Sequence, residues 1–125
     1  MRTVVAVGAA GFLGAIARYG VEGLVSERTT SAFPWGTMVV NVTGSLVLGF
    51  LFAALIEGRI VVSPWLRTAA TVGFVGAYTT FSTFSLETFR LFEDGAYLLA
   101  GVNAVGSLIA GLTGVYVGIV LGRLV

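Results

Sequence analysis

The sequence predicts an all-α integral membrane protein built from four transmembrane helices. Three observations carry that expectation. Of the 125 residues, 57% are hydrophobic and only 10% are charged, against about 25% charged in an ordinary soluble domain. A soluble chain of this length still needs a polar skin, and this composition does not supply one. The charges are also clustered. The stretches between them hold 15 uncharged residues (3–17), 28 (29–56), 19 (68–86) and 28 (95–122), where a membrane helix needs about 20 apolar residues. Finally, glycine accounts for 18 residues, about twice its usual share, which in an apolar chain signals helices packed closely through small residues.

The spans are expected near 3–25, 37–56, 66–90 and 96–122, in one domain over 1–125. Short polar connections at 26–31, 57–59 and 93–95 leave no room for a linker or second domain. Ala15-Ile16-Ala17, after Arg2 and an apolar run, has the small-residue spacing of a signal-peptide cleavage site. The run continues beyond Arg18, however, which favours a retained helix.

Absent residue types exclude whole chemistries. With no Cys there is no disulfide framework, thiolate metal site or Cys nucleophile. The lack of His removes the commonest acid–base group and transition-metal ligand. All seven basic side chains are Arg, and the net charge is +1, which is no footprint for nucleic acid. The spans contain no carboxylate pair, nucleophile–base pair or metal-ligand cluster, so an enzyme is not expected.

Polar groups inside the spans are the functional candidates. In the first span, Gly8, Gly11, Gly14 and Ala15 form a small-residue face, and Arg18 lies within the apolar run. Arg18 must snorkel or find a partner; as a guanidinium it also suits a vestibule that attracts anions. In the second span, Pro34 and Trp35 mark an interfacial start, and Thr37, Asn41 and Ser45 recur every four residues beside Gly44. The Asn41 amide needs acceptors where there is no water, either across a helix interface or along a pathway.

The third span is the least regular. Gly73 and Gly76 precede Thr79, Thr80, Ser82, Thr83 and Ser85, poor helix material. A break is expected between Gly76 and Thr80, with backbone carbonyls able to hold a small cation. Phe81 and Phe84 share one helix face. Core packing is the plain role for such a pair; the sharper one uses the positive ring edges to stabilise an anion without a fixed charge. Glu87 closes the charge-free run and is expected to pair with an Arg. In the fourth span, Gly106, Ala110, Gly114, Gly118 and Gly122 form a packing stripe, with Asn103 and Ser107 as a second, polar row.

Orientation is weakly encoded. Four spans put Arg2, Arg59, Arg67 and Arg123 on one side, and Arg28 and Arg90, with Arg18 near that end, on the other. Four against two or three is a small bias for a rule that needs a clear excess. The chain is therefore expected to insert both ways round, a dual topology that suits an antiparallel homodimer; the alternative is a single orientation set by the weak bias or by a partner. Its small size alone points to oligomerisation.

Three blocks carry a family resemblance: Gly11 to Tyr19 (GFLGAIARY), Trp35 to Ser45 (WGTMVVNVTGS) running on to Gly49 and Phe50, and Gly73 to Glu87 (GFVGAYTTFSTFSLE). In order, spacing and four-span layout the sequence resembles the Fluc-type (CrcB) fluoride channels. That resemblance implies a fluoride-selective channel in the cell membrane that exports toxic cytoplasmic fluoride passively, as an antiparallel homodimer with two pores. It implies pore roles for Phe81, Phe84, Asn41, Ser82, Thr83 and Ser107. It also implies a structural sodium ion at the dimer centre, held by the backbone carbonyls of Gly76 and Thr79. Arg18 and Glu87 take vestibule or structural roles. Asn103 departs from a tyrosine found in some members, and Gly111 from a serine, at the outer end of the polar row.

Two other functions fit four apolar helices. A small dual-topology multidrug/proton antiporter needs a membrane-embedded acid early in the first span, where the first acid here is Glu22. A non-transporting scaffold subunit suits the glycine stripes but leaves Asn41 and the Ser/Thr cluster of the third span unexplained.

Overall fold

The computed structural model describes all residues, 1–125, and is helical throughout. α1 runs from Arg2–Ser26, α2 from Trp35–Ile56, α3 over residues 64–78, α4 from Phe81–Glu93 and α5 from Tyr97–Gly122. α1, α2 and α5 are each long and apolar enough to cross a membrane. The third expected span is built from α3 and α4, separated by two extended residues. α1 continues without interruption through Ala15–Ala17. Only 19 of the 125 residues are buried, and large apolar side chains such as Phe12, Ile16, Leu108 and Tyr116 stand exposed. Such a surface is stable against lipid or another apolar partner, not against water.

Turn chemistry sets the helix boundaries. Pro34 precedes the first turn of α2, where its missing N–H leaves no helical bond unmade. The rings of Phe33 and Trp35 pack 4.6 Å apart beside it. Pro64 likewise opens α3. α4 ends at Gly95, whose φ of 76° only glycine adopts freely. The Gly95 amide donates to the Phe92 carbonyl and the Ala96 amide to Leu91, which returns the chain at once into α5.

Packing follows backbone contact at glycines. α2 lies along α5: a Cβ on Gly118 would collide with the Leu46 carbonyl, and one on Gly49 with the Val115 carbonyl. A Cβ on Gly114 would stand 3.0 Å from the Val42 oxygen, and one on Gly122 2.5 Å from that of Phe50. Gly106, the first member of the predicted stripe, meets only the Met38 methyl and a Val102 methyl, each at 3.9 Å. The tight seam is therefore confined to the second half of α5. α1 packs on α3 in the same way, through Gly14 against the Phe74 carbonyl and Gly73 against Val7 and Ala10. The predicted small face of α1 is only partly used. A Cβ on Gly8 would meet nothing within 4 Å, and Ala15 is exposed.

The N-terminus, the α2–α3 connection and the C-terminus share one end. The Arg2 guanidinium lies 4.8 Å above the Trp65 ring. Arg123 donates to both oxygens of Glu57, at 2.7 and 3.0 Å. Hydrogen bonding from Arg123 holds the Glu57 carboxyl below its ordinary range. The ion pair therefore supports the fold above the usual carboxylate pKa, and that support is lost as pH falls through the depressed one. Both groups are in solvent, so salt weakens it.

The α2–α5 seam yields the first prediction. Gly118→Val puts branched carbon where α2 backbone now lies, and overpacking of this kind costs about 1–3 kcal/mol. The expected result is a lower thermal midpoint in detergent and loss of monodisperse protein, while Gly8→Val changes neither. Equal melting of wild type and Gly118→Val would show that the seam is not tight.

Candidate functional site

The site is organised by the gap between α3 and α4. Thr79 (φ −84°, ψ 159°) and Thr80 (φ −148°, ψ 119°) are extended, so the break falls at the last two residues of the expected interval and Gly76 is still helical. A side-chain amide replaces the missing backbone partners. The Thr80 amide donates to Asn41 Oδ1 at 2.8 Å, and Asn41 Nδ2 donates to the Thr80 carbonyl at 3.0 Å. Asn41 thus pairs with Thr80 as one peptide group pairs with another across a β-ladder. The Thr80 hydroxyl caps α4 by accepting from the Thr83 amide at 3.3 Å and donates to the Thr83 hydroxyl at 3.0 Å. Thr79 closes α3, its hydroxyl bonding back to the Val75 carbonyl at 3.0 Å.

The break sets two helix ends of opposite polarity side by side. The carbonyl end of α3 carries partial negative charge and the amide end of α4 partial positive charge. In an unbroken helix the Thr80 amide would close onto the Gly76 carbonyl, but here it goes to Asn41. The Thr79 carbonyl accepts only a long bond, 3.5 Å, from Arg18 Nη1. These two carbonyls are hard oxygen donors with lone pairs to spare, which fits a small cation such as sodium. One chain offers too few of them to complete its coordination.

Beside the break, a groove of about 560 Å³ runs between α2, α4 and α5. Asn41, Ser45, Thr79, Thr80, Phe81, Phe84 and Ser107 line it, and Gly44 and Gly111 give it width. A Cβ on Gly44 would collide with the Thr79 methyl. The Phe81 and Phe84 rings lie 5.9 Å apart, tilted by 42°. Phe84 is half-buried, whereas Phe81 is 79% exposed, so the groove is open on that side.

The other sequence candidates fall in different places. Ser82 is exposed, and neither it nor Thr83 is on the groove wall. Arg18 sits behind the break. Glu87 is not paired with an Arg, contrary to expectation. It accepts from the Thr37 hydroxyl at 2.8 Å, because Thr37 one helix away points straight at it. Glu87 and Thr37 line a second, more polar cavity of about 430 Å³ together with Glu22, Arg90 and Asp94. Asn103 is 1% exposed, behind the groove wall and not on it.

The proton of each hydroxyl decides what it offers a ligand. Those of Ser45, Thr79, Ser85 and Thr88 go to backbone carbonyls. Asn41 commits one N–H to Thr80 and keeps its second. Sequence alone does not single out Thr80 or Thr88 for these parts. The signal for Thr80 is a Thr at the N-cap position of α4; for Thr88 there is none.

The pairing at the break generates the second prediction. Asn41→Ala leaves a buried backbone donor and acceptor unpaired, each costing about 1–3 kcal/mol. Amide exchange over residues 79–83 is expected to accelerate sharply while residues 64–75 remain protected. Unchanged exchange at Thr80 would mean that something other than Asn41 holds the break.

Comparison with known proteins adds an independent observation. Residues 5–119 match the family described as CrcB-like protein, Camphor Resistance (CrcB). The chain is 45% identical over 125 residues to the fluoride-specific ion channel FluC of Nitratidesulfovibrio vulgaris, covering all of both chains. It is 43% identical over 123 residues to that of Geotalea daltonii, covering 98% of each. With the protein of the same name from Trichormus variabilis it shares 41% over 124 residues, covering 99% of this chain and 90% of the relative.

Proposed function

This chain belongs to the CrcB-like family, and from that premise we propose that it is a fluoride-selective channel that lets cytoplasmic fluoride leave the cell passively across the plasma membrane. The observation that carries the reading is the full-length similarity to relatives named fluoride-specific ion channels, joined to a groove lined by Phe81, Phe84 and neutral polar groups. The channel is a multi-pass membrane protein and not an enzyme.

The groove chemistry suits a small, strongly hydrated anion. Ring edges of Phe81 and Phe84 are positive. The free N–H of Asn41 and the amide end of α4 supply donors that replace part of the water shell, and the hydroxyls of Ser82 and Thr83, off this wall, serve the path beyond the groove. Ser107 supplies the polar point on the α5 wall. None of the groove residues carries a formal charge, so fluoride is not trapped where it is stabilised. Arg18 raises the local anion concentration behind the break, and Glu87 with Thr37 shapes the vestibule.

The working unit is an antiparallel homodimer with two pores. The exposed Phe81 and the open side of the groove support this, as does the small arginine bias between the two ends. A two-fold mate would double the Gly76 and Thr79 carbonyls, which could then hold a structural sodium ion. Those carbonyls would then be neutralised by a fixed positive charge between the two helix breaks. The antiporter alternative lacks an acid early in α1, and a scaffold role has no counterpart among the named relatives.

Liposomes holding the purified chain are expected to release fluoride and retain chloride, read by ion-selective electrodes. Phe81→Ile and Phe84→Ile are each expected to cut that release about tenfold, equivalent to roughly 1.4 kcal/mol of lost ring-edge stabilisation. Wild-type release of both ions would refute fluoride selectivity, and full flux in both variants would remove the phenylalanines from the pathway. A second experiment addresses topology. Tags on either terminus should be found on both faces of the membrane in comparable amounts, and a tag confined to one face is incompatible with the antiparallel dimer.

A further inference from the structure

Behind the α5 wall of the groove lies a short chain of hydrogen bonds that the channel reading does not use. It begins at the Phe84 backbone. The Thr88 hydroxyl donates to the Phe84 carbonyl at 2.7 Å. Having committed its only proton, Thr88 faces α5 as an acceptor. Asn103 Nδ2 donates to it at 2.8 Å, and this determines which way the Asn103 amide points. Its oxygen is then turned toward Ser107, whose hydroxyl donates to Asn103 Oδ1 at 3.3 Å. Each partner's direction follows from the one before.

Asn103 is almost wholly enclosed, at 1% exposure. It sits in a π-helical turn, Val102–Gly106, one of three such stretches in the chain. The wider turn separates Asn103 from the regular helix that starts at Ser107. A buried amide needs hydrogen-bond partners, and here Thr88 accepts from one Asn103 N–H while Ser107 donates to its oxygen. The last member, Ser107, lies on the groove wall with Phe84 and Asn41.

The consequence is chemical. A serine hydroxyl has one proton, and that of Ser107 is turned away from the groove. Toward the groove Ser107 presents lone pairs. A bare anion gains nothing from lone pairs, whereas a water molecule can donate one proton to Ser107 and the other to the anion. We propose that Asn103 is a positioning residue that holds Ser107 as an acceptor, so that fluoride passes the α5 wall with a water between itself and Ser107. This inference rests on the channel reading. It makes that stretch of the path weakly binding by construction, which favours rapid exit over retention. Phe84 is coupled to the same chain through its carbonyl, so the relay also ties α4 to α5 beside the second ring.

The test is the concentration dependence of fluoride flux in liposomes for wild type, Thr88→Val, Thr88→Ser and Asn103→Leu. Thr88→Val removes the acceptor that orients the amide, and Asn103→Leu removes the amide itself. Both free the Ser107 proton to face the groove. One added direct hydrogen bond to the ion corresponds to about tenfold to a hundredfold tighter binding. The half-saturating fluoride concentration is therefore expected to fall by that factor in both variants, with a lower maximal flux. Thr88→Ser retains the hydroxyl and is expected to restore the wild-type half-saturation. A role in stability alone would lower the maximal flux and yield without moving the half-saturation. Should Asn103→Leu fail to fold, the Thr88 pair decides the matter. Wild-type flux with unmoved half-saturation in Thr88→Val, or a Thr88→Ser variant that behaves like Thr88→Val, overturns the inference alone. A wild-type chain that releases no fluoride overturns the channel reading and this inference with it.

Discussion

The architecture depends on a pair of hydrogen bonds between the Asn41 side chain and the Thr80 backbone. A polypeptide cannot leave the helical conformation inside a bilayer unless the freed amide and carbonyl find partners, since there is no water to receive them. Asn41 supplies both at once. Its amide has the donor and acceptor of a peptide group, and α2 delivers it at the right depth. With Thr80 held extended, α3 ends and α4 begins, and everything distinctive about the molecule follows from that interruption. The two helix ends come together, carbonyls lose their helical donors, and Phe81 is left exposed.

The glycines make this geometry reachable. Gly44 lets α2 approach the break closely enough for Asn41 to touch Thr80, since a methyl there would meet the Thr79 side chain. Gly49, Gly114 and Gly118 bring α2 and α5 to backbone contact, and both helices then contribute walls to the groove. In lipid no hydrophobic force drives helices together, so close van der Waals contact of this sort carries more of the association. The same logic explains why so few residues are buried: small residues fill the seams, and large apolar ones face outward.

Polarity in the site is governed by where protons go. Most hydroxyls near the break are used to complete the backbone of their own helix, the common habit of Ser and Thr in membrane helices. They are therefore structural, even where they line a space. On the channel reading proposed above, the few groups with an uncommitted donor are where an anion would be held. Neutral groups acting in a low-dielectric setting are worth more than in water, so a site needs no formal charge to hold an ion.

The sequence alone determined much of this. Composition and the spacing of charges dictated a four-span helical membrane protein, because the bilayer demands long apolar runs and tolerates few charges. Three blocks of residues, GFLGAIARY, WGTMVVNVTGS and GFVGAYTTFSTF, also pointed to the family. The break could be located to a few residues, since consecutive Thr and Ser after mid-span glycines are poor helix formers. What tertiary structure alone decided is who answers whom. Glu87 finds Thr37 and not an arginine, Asn41 finds Thr80, and Asn103 turns inward to Thr88. Each of these depends on how one helix is rotated against another. Side-chain periodicity restricts that rotation to a face, but hydrogen bonding requires it to within an ångström, and only the packed glycine seams supply that precision.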